Sequence, residues 1–521
     1  MKQKNFKKIR VVISLVFLIT ITWLFLDFRE TIGTGFFQTA LYLQFVPSLV
    51  KFLTVFSISA LGFLIVILLT ALAGRVYCST ICPLGIFQDV ISYISKKIPR
   101  KKKFRYKYAK PYTILRYSLL GLTIITFVFG SIFVVNLLDP YSNFGRIITN
   151  LFKPLFLGLN NAAAFILEKF DVYSLYPVDI QWGKLSALAF PVFMFALILA
   201  MAIRKGRLYC NTVCPVGTLL GFMSKYSFFK IRFNEDRCTS CGKCAVVCKA
   251  QCINIKEKSV DETRCIDCFN CLDTCPEQAI YYQKPKKVNL QPVRPGAPNT
   301  DDSKRKFVAS ILAYTALSIG IKPKIKAADV VVKNPTTVPL DKTHPVSMPG
   351  SGSIEHLKDK CTACHLCISA CPTGVIQPSF LQYGITGMMQ PHMDFEANYC
   401  NFDCTRCTEI CPTGALLPVS AEEKKTLQLG KVVFIIENCV VYTEGTACGS
   451  CSEHCPTQAV YMIPYKGNLT IPEINPDICV GCGACEYACP TRPYRAIYVD
   501  GNETHLVADI PKSEKLDDVD I

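Results

Sequence analysis

The sequence predicts a multidomain membrane protein: an α-helical four-span unit followed by a small cysteine-rich α+β domain and, after a polar linker, a larger cysteine-rich domain. Three observations predict it. Half of the 521 residues are apolar and mean hydropathy is +0.28, a balance that in so long a chain points to membrane spans. The 29 cysteines recur in blocks with the spacing of metal ligands, not of a small disulfide scaffold. The net charge of +17 is split: residues 341–521 carry a balance of −10 and residues 1–340 a balance of +27.

Apolar runs at about 11–28, 52–73, 113–138 and 185–203 each approach or exceed the ~20 residues a helix needs to cross the hydrocarbon core. No small-x-small cleavage site follows the first, so it is expected as a retained span. The basic N-terminus, "KKIPRKKKFRYKYAK" at 96–110 and "IRKGR" at 203–207 should face the cytoplasm. The stretches 29–51 and 139–184, poor in Lys and Arg, are expected as loops on the other side. Basic clusters set beside apolar spans read as this charge bias, so no nucleic-acid partner is expected.

Within this unit, residues 1–225, "GRVYCSTICPLG" at 74–85 returns as "GRLYCNTVCPVG" at 206–217. Two hairpins packed about an axis normal to the membrane would bring Cys78, Cys82, Cys210 and Cys214 together. Cysteines four apart share one helical face, and Pro83 and Pro215 suit a helix start or break. Such a quartet could hold a metal centre, form two redox-active dithiols or simply pack helix ends; the duplication argues against packing alone.

Six further blocks carry the iron–sulfur pattern CxxCxxCxxxCP, two of them with the first interval stretched, to CxxxC from Cys400 and to Cx8C from Cys439. Three thiolates on a tight loop grip one [4Fe–4S] cube and the fourth reaches its neighbour. In the first domain, 226–285, crossed ligation assigns Cys238, Cys241, Cys244 and Cys275 to one cube. Cys265, Cys268, Cys271 and Cys248 take the other, with Lys249 where the pattern has proline. Cys252 is left over and reads as a buried inert thiol. The β-branched residues of "INIKE" and "AIYY" suit the short strands of a bacterial-ferredoxin-like α+β fold.

The second domain, 350–500, carries four blocks: Cys361, Cys364, Cys367 and Cys371; Cys400, Cys404, Cys407 and Cys411; Cys439, Cys448, Cys451 and Cys455; Cys479, Cys482, Cys485 and Cys489. These sixteen thiols suit a four-cluster polyferredoxin domain, although spacing leaves open which blocks pair. About six [4Fe–4S] clusters are therefore expected. "CTACH" at 361–365 also matches covalent haem attachment, but haem would strand Cys367 and Cys371. None of the six histidines, His344, His356, His365, His392, His454 and His505, lies in the four-span unit, so no bis-His haem is expected there. Structural zinc favours two CxxC-type pairs over six repeated quartets.

Residues 286–349 are expected as a linker, extended over 330–349. Inside it, 303–329 sets Lys304-Arg305 before about fifteen apolar residues, short for a span and similar to a twin-arginine export signal. Residues 501–521 form an acidic tail expected to be loosely ordered.

The paired CxxxCP motifs with a trailing two-cluster domain resemble the NapH-type membrane subunit, which serves quinol oxidation. The twin-basic segment followed by four cluster motifs resembles the NapG/MauM-type ferredoxin. Together the two likenesses cover nearly the whole chain, as though two subunits were fused. They imply a membrane-bound electron-transfer protein of a bacterial inner membrane, fed by the (mena)quinone pool and serving a periplasmic or membrane redox partner protein. The first ferredoxin domain would be cytoplasmic and the four-cluster domain periplasmic. Related CxxxCP proteins serve enzyme maturation, which keeps a second reading: an assembly factor reducing metal ions or disulfides. No dinucleotide or phosphate-binding loop stands out.

Overall fold

The computed structural model describes residues 5–57, 60–98, 106–180, 185–283 and 337–509. The export-like segment 303–329 lies outside the described residues, as do 510–521 of the tail. The first half is helical. Helix α1 runs Asn5–Leu26, and Asp27 closes it by accepting from the Thr31 and Ile32 amides at 3.1 and 3.0 Å. Then come α2 (Thr34–Leu41), α3 (Phe45–Val55), α4 (Gly62–Ala73), α5 (Val76–Thr80) and α6 (Pro83–Lys97). After them lie α7 (Thr113–Val128), α8 (Phe133–Leu138), α9 (Pro140–Ile147), a π-helical turn (Ile148–Phe152) and α10 (Lys153–Glu168). Helices α11 (Leu185–Lys205), α12 (Leu208–Thr212) and α13 (Pro215–Ser224) complete the set.

Two of these helices, α1 and α11, are long and apolar enough to cross a membrane, with 22 and 21 residues and a mean hydropathy of 2.4. The other two expected spans are broken. The run 52–73 divides between α3, closed by Phe56 at φ +48°, and α4, which is only 12 residues long. The run 113–138 divides between α7 and α8 at Gly130, φ +82°. Glycine enters that left-handed region without steric cost, so Gly130 ends a helix that hydropathy alone would continue, and Phe56 does the same for α3.

The stretches read as outer loops are also helical in large part. Pro140 at the first helical position and Asp139, whose carboxylate accepts from the Ser142 amide at 2.8 Å, start a helical run that continues to Glu168. The segment 29–51 contains α2 and most of α3.

The first cysteine-rich domain is framed by two antiparallel pairs. β1 (Lys230–Phe233) meets β4 (Ile280–Gln283), and β2 (Ile253–Asn254) meets β3 (Ser259–Val260). In the second domain β5 (Ile376–Pro378) pairs with β6 (Pro391–Met393), β7 (Leu427–Phe434) with β10 (Ile497–Val507), and β8 (Val460–Pro464) with β9 (Thr470–Ile474). This domain reaches beyond the expected 350–500 at both ends. Val346 and Met348, expected in the linker, are buried in its core at 4% and 0% exposure. Strand β10 carries past 500, pairing Leu506 with Gln428 and Val507 with Leu427.

His505 on that strand is partly buried, its Nε2 2.8 Å from Ser347 Oγ. Burial holds its pKa down at about 4. The folded domain therefore resists a proton that the unfolded chain takes up near pH 6.5, so this contribution is full above 6.5 and is lost as pH falls towards 4. Replacing His505 with Gln should flatten the fall in thermal midpoint between pH 7 and 4.5 by the equivalent of up to about 3 kcal/mol. An unaltered pH profile would remove His505 as its cause.

Candidate metal centres

Both copies of the repeat fold alike. α5 and α12 each carry the first cysteine and end two residues before the second. Cys82 and Cys214 are extended N-caps, and Pro83 and Pro215 begin the next helices. Each cysteine pair therefore straddles a helix break, not one continuous face as the four-residue spacing suggests. The four thiols are buried, between 3% and 4% exposed. Two arginines, the second residue of each copy, cross between the halves. Arg75 Nη2 donates to the Cys210 carbonyl at 3.2 Å and stands 3.8 Å from Cys78 Sγ. Arg207 Nη1 donates to the Cys78 carbonyl at 2.6 Å and stands 4.0 Å from Cys210 Sγ. Gly85 and Gly217 sit where a side chain would overlap the Cys78 and Cys210 carbonyls. Two fully buried guanidiniums facing four thiols fit an anionic thiolate-bound centre and are costly around neutral packing.

In the first cysteine-rich domain one small cavity is lined by Cys238, Cys241, Cys244 and Cys275 together. Cys265, Cys268, Cys271 and Cys248 form a second group, all buried. In the second domain Cys439, Cys448, Cys451 and Cys489 line one cavity. Cys479, Cys482 and Cys485 gather with Cys455. Cys361, Cys364 and Cys367 gather with Cys411, and Cys400, Cys404 and Cys407 with Cys371. Blocks one and two are thus crossed, as are three and four. Among the described residues no His, Cys, Asp or Glu group converges on a point able to hold a single ion. Thiols surrounding a space suit a cube better than a lone zinc.

The loops themselves are anion cradles. Ser240 and Gly242, Asp267 and Phe269, Ala363 and His365, and Gly481 and Gly483 are all left-handed, at the same two places of four blocks. Such alternation turns successive amides inward, which favours a negatively charged cluster. The Ala363 and Gly481 amides indeed donate to Cys361 and Cys479 Sγ at 3.4 Å. The stretched blocks at Cys400 and Cys439 lack the pattern, with Thr405 and Gly449 at φ −110° and −133°.

Four further residues escaped the sequence reading. Thr373, Thr413, Thr457 and Thr491 place their hydroxyls 3.6 to 3.8 Å from Cys371, Cys411, Cys455 and Cys489 Sγ. The signal was present as a fourfold "CPT", which the first domain lacks.

Cys252 is buried, as expected, and touches a ligand sulfur. It is 1% exposed and its Sγ lies 3.6 Å from Cys248 Sγ. The hydrogen bond between the two holds the Cys248 thiol below its ordinary value against burial. Hydrogen bonds to ligand sulfur are one lever on cluster potential. Cys252→Ala should therefore keep the full iron content and lower one potential by about 20–60 mV, the equivalent of one hydrogen bond. Cys248→Ala should lose a cluster. The reverse pattern on anaerobic iron analysis and redox titration would make Cys252 the ligand.

His365 lies within the haem-like "CTACH", yet both of its ring nitrogens are engaged. Asn150 Nδ2 is 2.9 Å from Nδ1, and Nε2 is 2.9 Å from the Met389 carbonyl. The first assignment requires the second nitrogen to be the N–H donor. Burial holds this imidazole neutral, at a pKa of about 3.

The thiol groups follow one another in space. Lys249, beside Cys248, reaches Asp89 at 3.2 Å, and Asp267, between Cys265 and Cys268, accepts the Arg75 amide at 2.8 Å. The second group thus abuts the repeat of the helical unit. On the far side Arg146 Nε donates to the Ala363 carbonyl at 3.0 Å, and a side chain at Gly145 would overlap the Cys364 carbonyl. The Cys400 amide donates to the Cys482 carbonyl at 3.0 Å, which joins the two crossed pairs of the last domain.

Family models agree with these groups. Models described as 4Fe-4S binding domain match 56–102 with 187–234, 235–251 and 259–280, and models described as 4Fe-4S dicluster domain match 360–416 and 445–492. The chain is an iron–sulfur electron-transfer protein carrying several [4Fe–4S] domains.

Among curated relatives, the ferredoxin-type protein NapF of Escherichia coli is 30% identical over 133 residues, 26% of this chain and 73% of NapF. Over that segment the chain belongs to the NapF-type ferredoxin family. An uncharacterized protein of Methanocaldococcus jannaschii is 25% identical over 44% of this chain and 72% of its own length. The methylamine utilization ferredoxin-type protein MauN of Methylobacillus flagellatus is 23% identical over 34% of this chain and 48% of its own. No solved structure matches the chain.

Proposed function

We propose that the chain is a membrane-spanning electron relay that takes electrons from quinol, through about six [4Fe–4S] clusters, to a redox partner protein. One observation carries the reading: the two cysteine-rich domains dock at opposite ends of α1. Lys7, near its start, pairs with Asp273 of the first at 2.7 Å. The Phe25 carbonyl, near its end, accepts from Ser369 of the second. A 22-residue helix is about 33 Å long, close to the ~30 Å hydrocarbon core. Cys78, Cys82, Cys210 and Cys214 lie buried in the helical unit between the docked domains and would supply the intervening centre.

The clusters supply one-electron redox chemistry when bound; the protein supplies their order, insulation and charge environment. The six cysteine quartets named above would hold the cubes. The broken, helix-rich unit would span a bacterial inner membrane with the first domain cytoplasmic and the second periplasmic. This is the arrangement expected of a NapH-type unit fused to a NapG/MauM-type one. The maturation reading is less favoured, because thiols 3–4% exposed are closed to the disulfide of a client protein. Anaerobically prepared protein treated with a menaquinol analogue should show reduced iron–sulfur EPR signals. Clusters that dithionite reduces and quinol leaves oxidised would overturn the quinol role.

A further inference from the structure

Where the second domain meets the helical unit, the surfaces leave a cleft of about 280 Å³. One wall is the π-helical turn and the start of α10, with Thr149, Lys153 and Leu157; the other is the turn from Ser369 through Cys371. Asp27, just past α1, borders it, and Leu188 of α11 closes an apolar side. The size approaches that of small-molecule sites, which combine apolar walls with a few polar groups. Thr149 is 7% exposed, and its hydroxyl has no hydrogen-bond partner among the described residues. A buried hydroxyl without a partner is costly, so this one points to a ligand able to supply it. Lys153 Nζ is anchored on Ser369, 3.2 Å from Oγ, which fixes a second donor at the same wall. On the same helix that lines the cleft, α10, Leu155 and Leu159 are 60% and 70% exposed and offer an apolar track.

We propose that this cleft binds the head group of a membrane quinol, its ring oxygen taking the place of the missing partner of Thr149 and its isoprenoid tail lying along α10. The inference rests on the relay reading above and gives it an entry point. Cys371 lines the cleft itself, and the helix that follows Cys364 leads into it. Oxidation of the quinol to quinone breaks two O–H bonds and releases two protons and two electrons. The protons leave to water past Glu30, the exposed carboxylate of the lining. The electrons leave singly to the oxidised [4Fe–4S] clusters that the Cys371 and Cys361 groups would hold.

The test uses the full chain in membranes, cluster-loaded, with a photoreactive azidonaphthoquinone. The expected result is label within 149–157 or 368–374, displaced by unlabelled menaquinol analogue. Thr149→Val should weaken that labelling about tenfold, the loss of one good hydrogen bond. Leu157→Trp, which fills the cleft, should abolish it, with dithionite-reduced EPR signals unchanged in both variants. Label confined to other segments, or labelling indifferent to both substitutions, overturns the site. Correct labelling in a protein whose clusters quinol never reduces would support the site and overturn the relay instead.

Discussion

Asp89→Asn is expected to destabilise the protein by about 3–5 kcal/mol and to strip iron from the Cys248 group, because it removes the one carboxylate that three cations share. Asp89 receives Arg207 Nε at 2.8 Å, Arg10 at 3.2 Å and Lys249 at 3.2 Å. These partners come from the start of α12, from α1 and from the cluster loop of the first domain. Arg207 is 0% exposed and Arg10 only 7%, so neither can be hydrated once the carboxylate is gone. The internal repeat offers no substitute, since the position equivalent to Asp89 is Gly221, packed against the Thr263 carbonyl. Lys249→Met makes the control: its side chain is 15% exposed and its loss leaves the two arginines paired, so the cost should stay near 1 kcal/mol. Denaturant unfolding in detergent with parallel iron analysis reads both. Equal effects of the two substitutions would show that Asp89 does not organise the junction.

Gly145→Val should cut the chain's electrical continuity and leave its cofactors in place. Gly145 lies on α9, where an added side chain would overlap the Cys364 carbonyl and the ring of Phe25. Overpacking of this kind costs about 1–3 kcal/mol, here taken from docking of the second domain and not from its own core. The neighbouring contacts, Arg146 to Ala363, Asn150 to His365 and Arg406 to Ile32 at 2.8 Å, would be strained together. Iron content and dithionite-reduced spectra should stay as in the parent. Electron passage from the second domain's clusters to those of the first should slow by more than tenfold in stopped-flow measurements, roughly the 1.4 kcal/mol equivalent of the docking loss. Parent-like transfer would mean the two domains communicate without this contact.

Much of the site was legible because a cluster loop is local. Cys265, Cys268 and Cys271 need only a few left-handed residues between them, and the spacing records that requirement directly. The repeat was legible for the same reason, down to its shared Gly, Arg, Tyr and Pro. The span count was less so. Hydropathy responds to composition, whereas Phe56 and Gly130 end helices through backbone conformation, and Pro140 with Asp139 starts one in a stretch of loop-like composition.

The sequence by itself determined the ligand blocks, the duplicated thiol pair and the asymmetry of charge, since each is written in residues a few positions apart. Only the tertiary structure decided that Cys411 joins Cys361 and Cys489 joins Cys439, that Arg75 and Arg207 cross between halves, and that the two cysteine-rich domains meet opposite ends of α1. Four blocks that all end in CxxCxxxCP offer chemically equivalent fourth ligands, so their pairing is chosen by packing between segments distant in the chain, which no local pattern encodes.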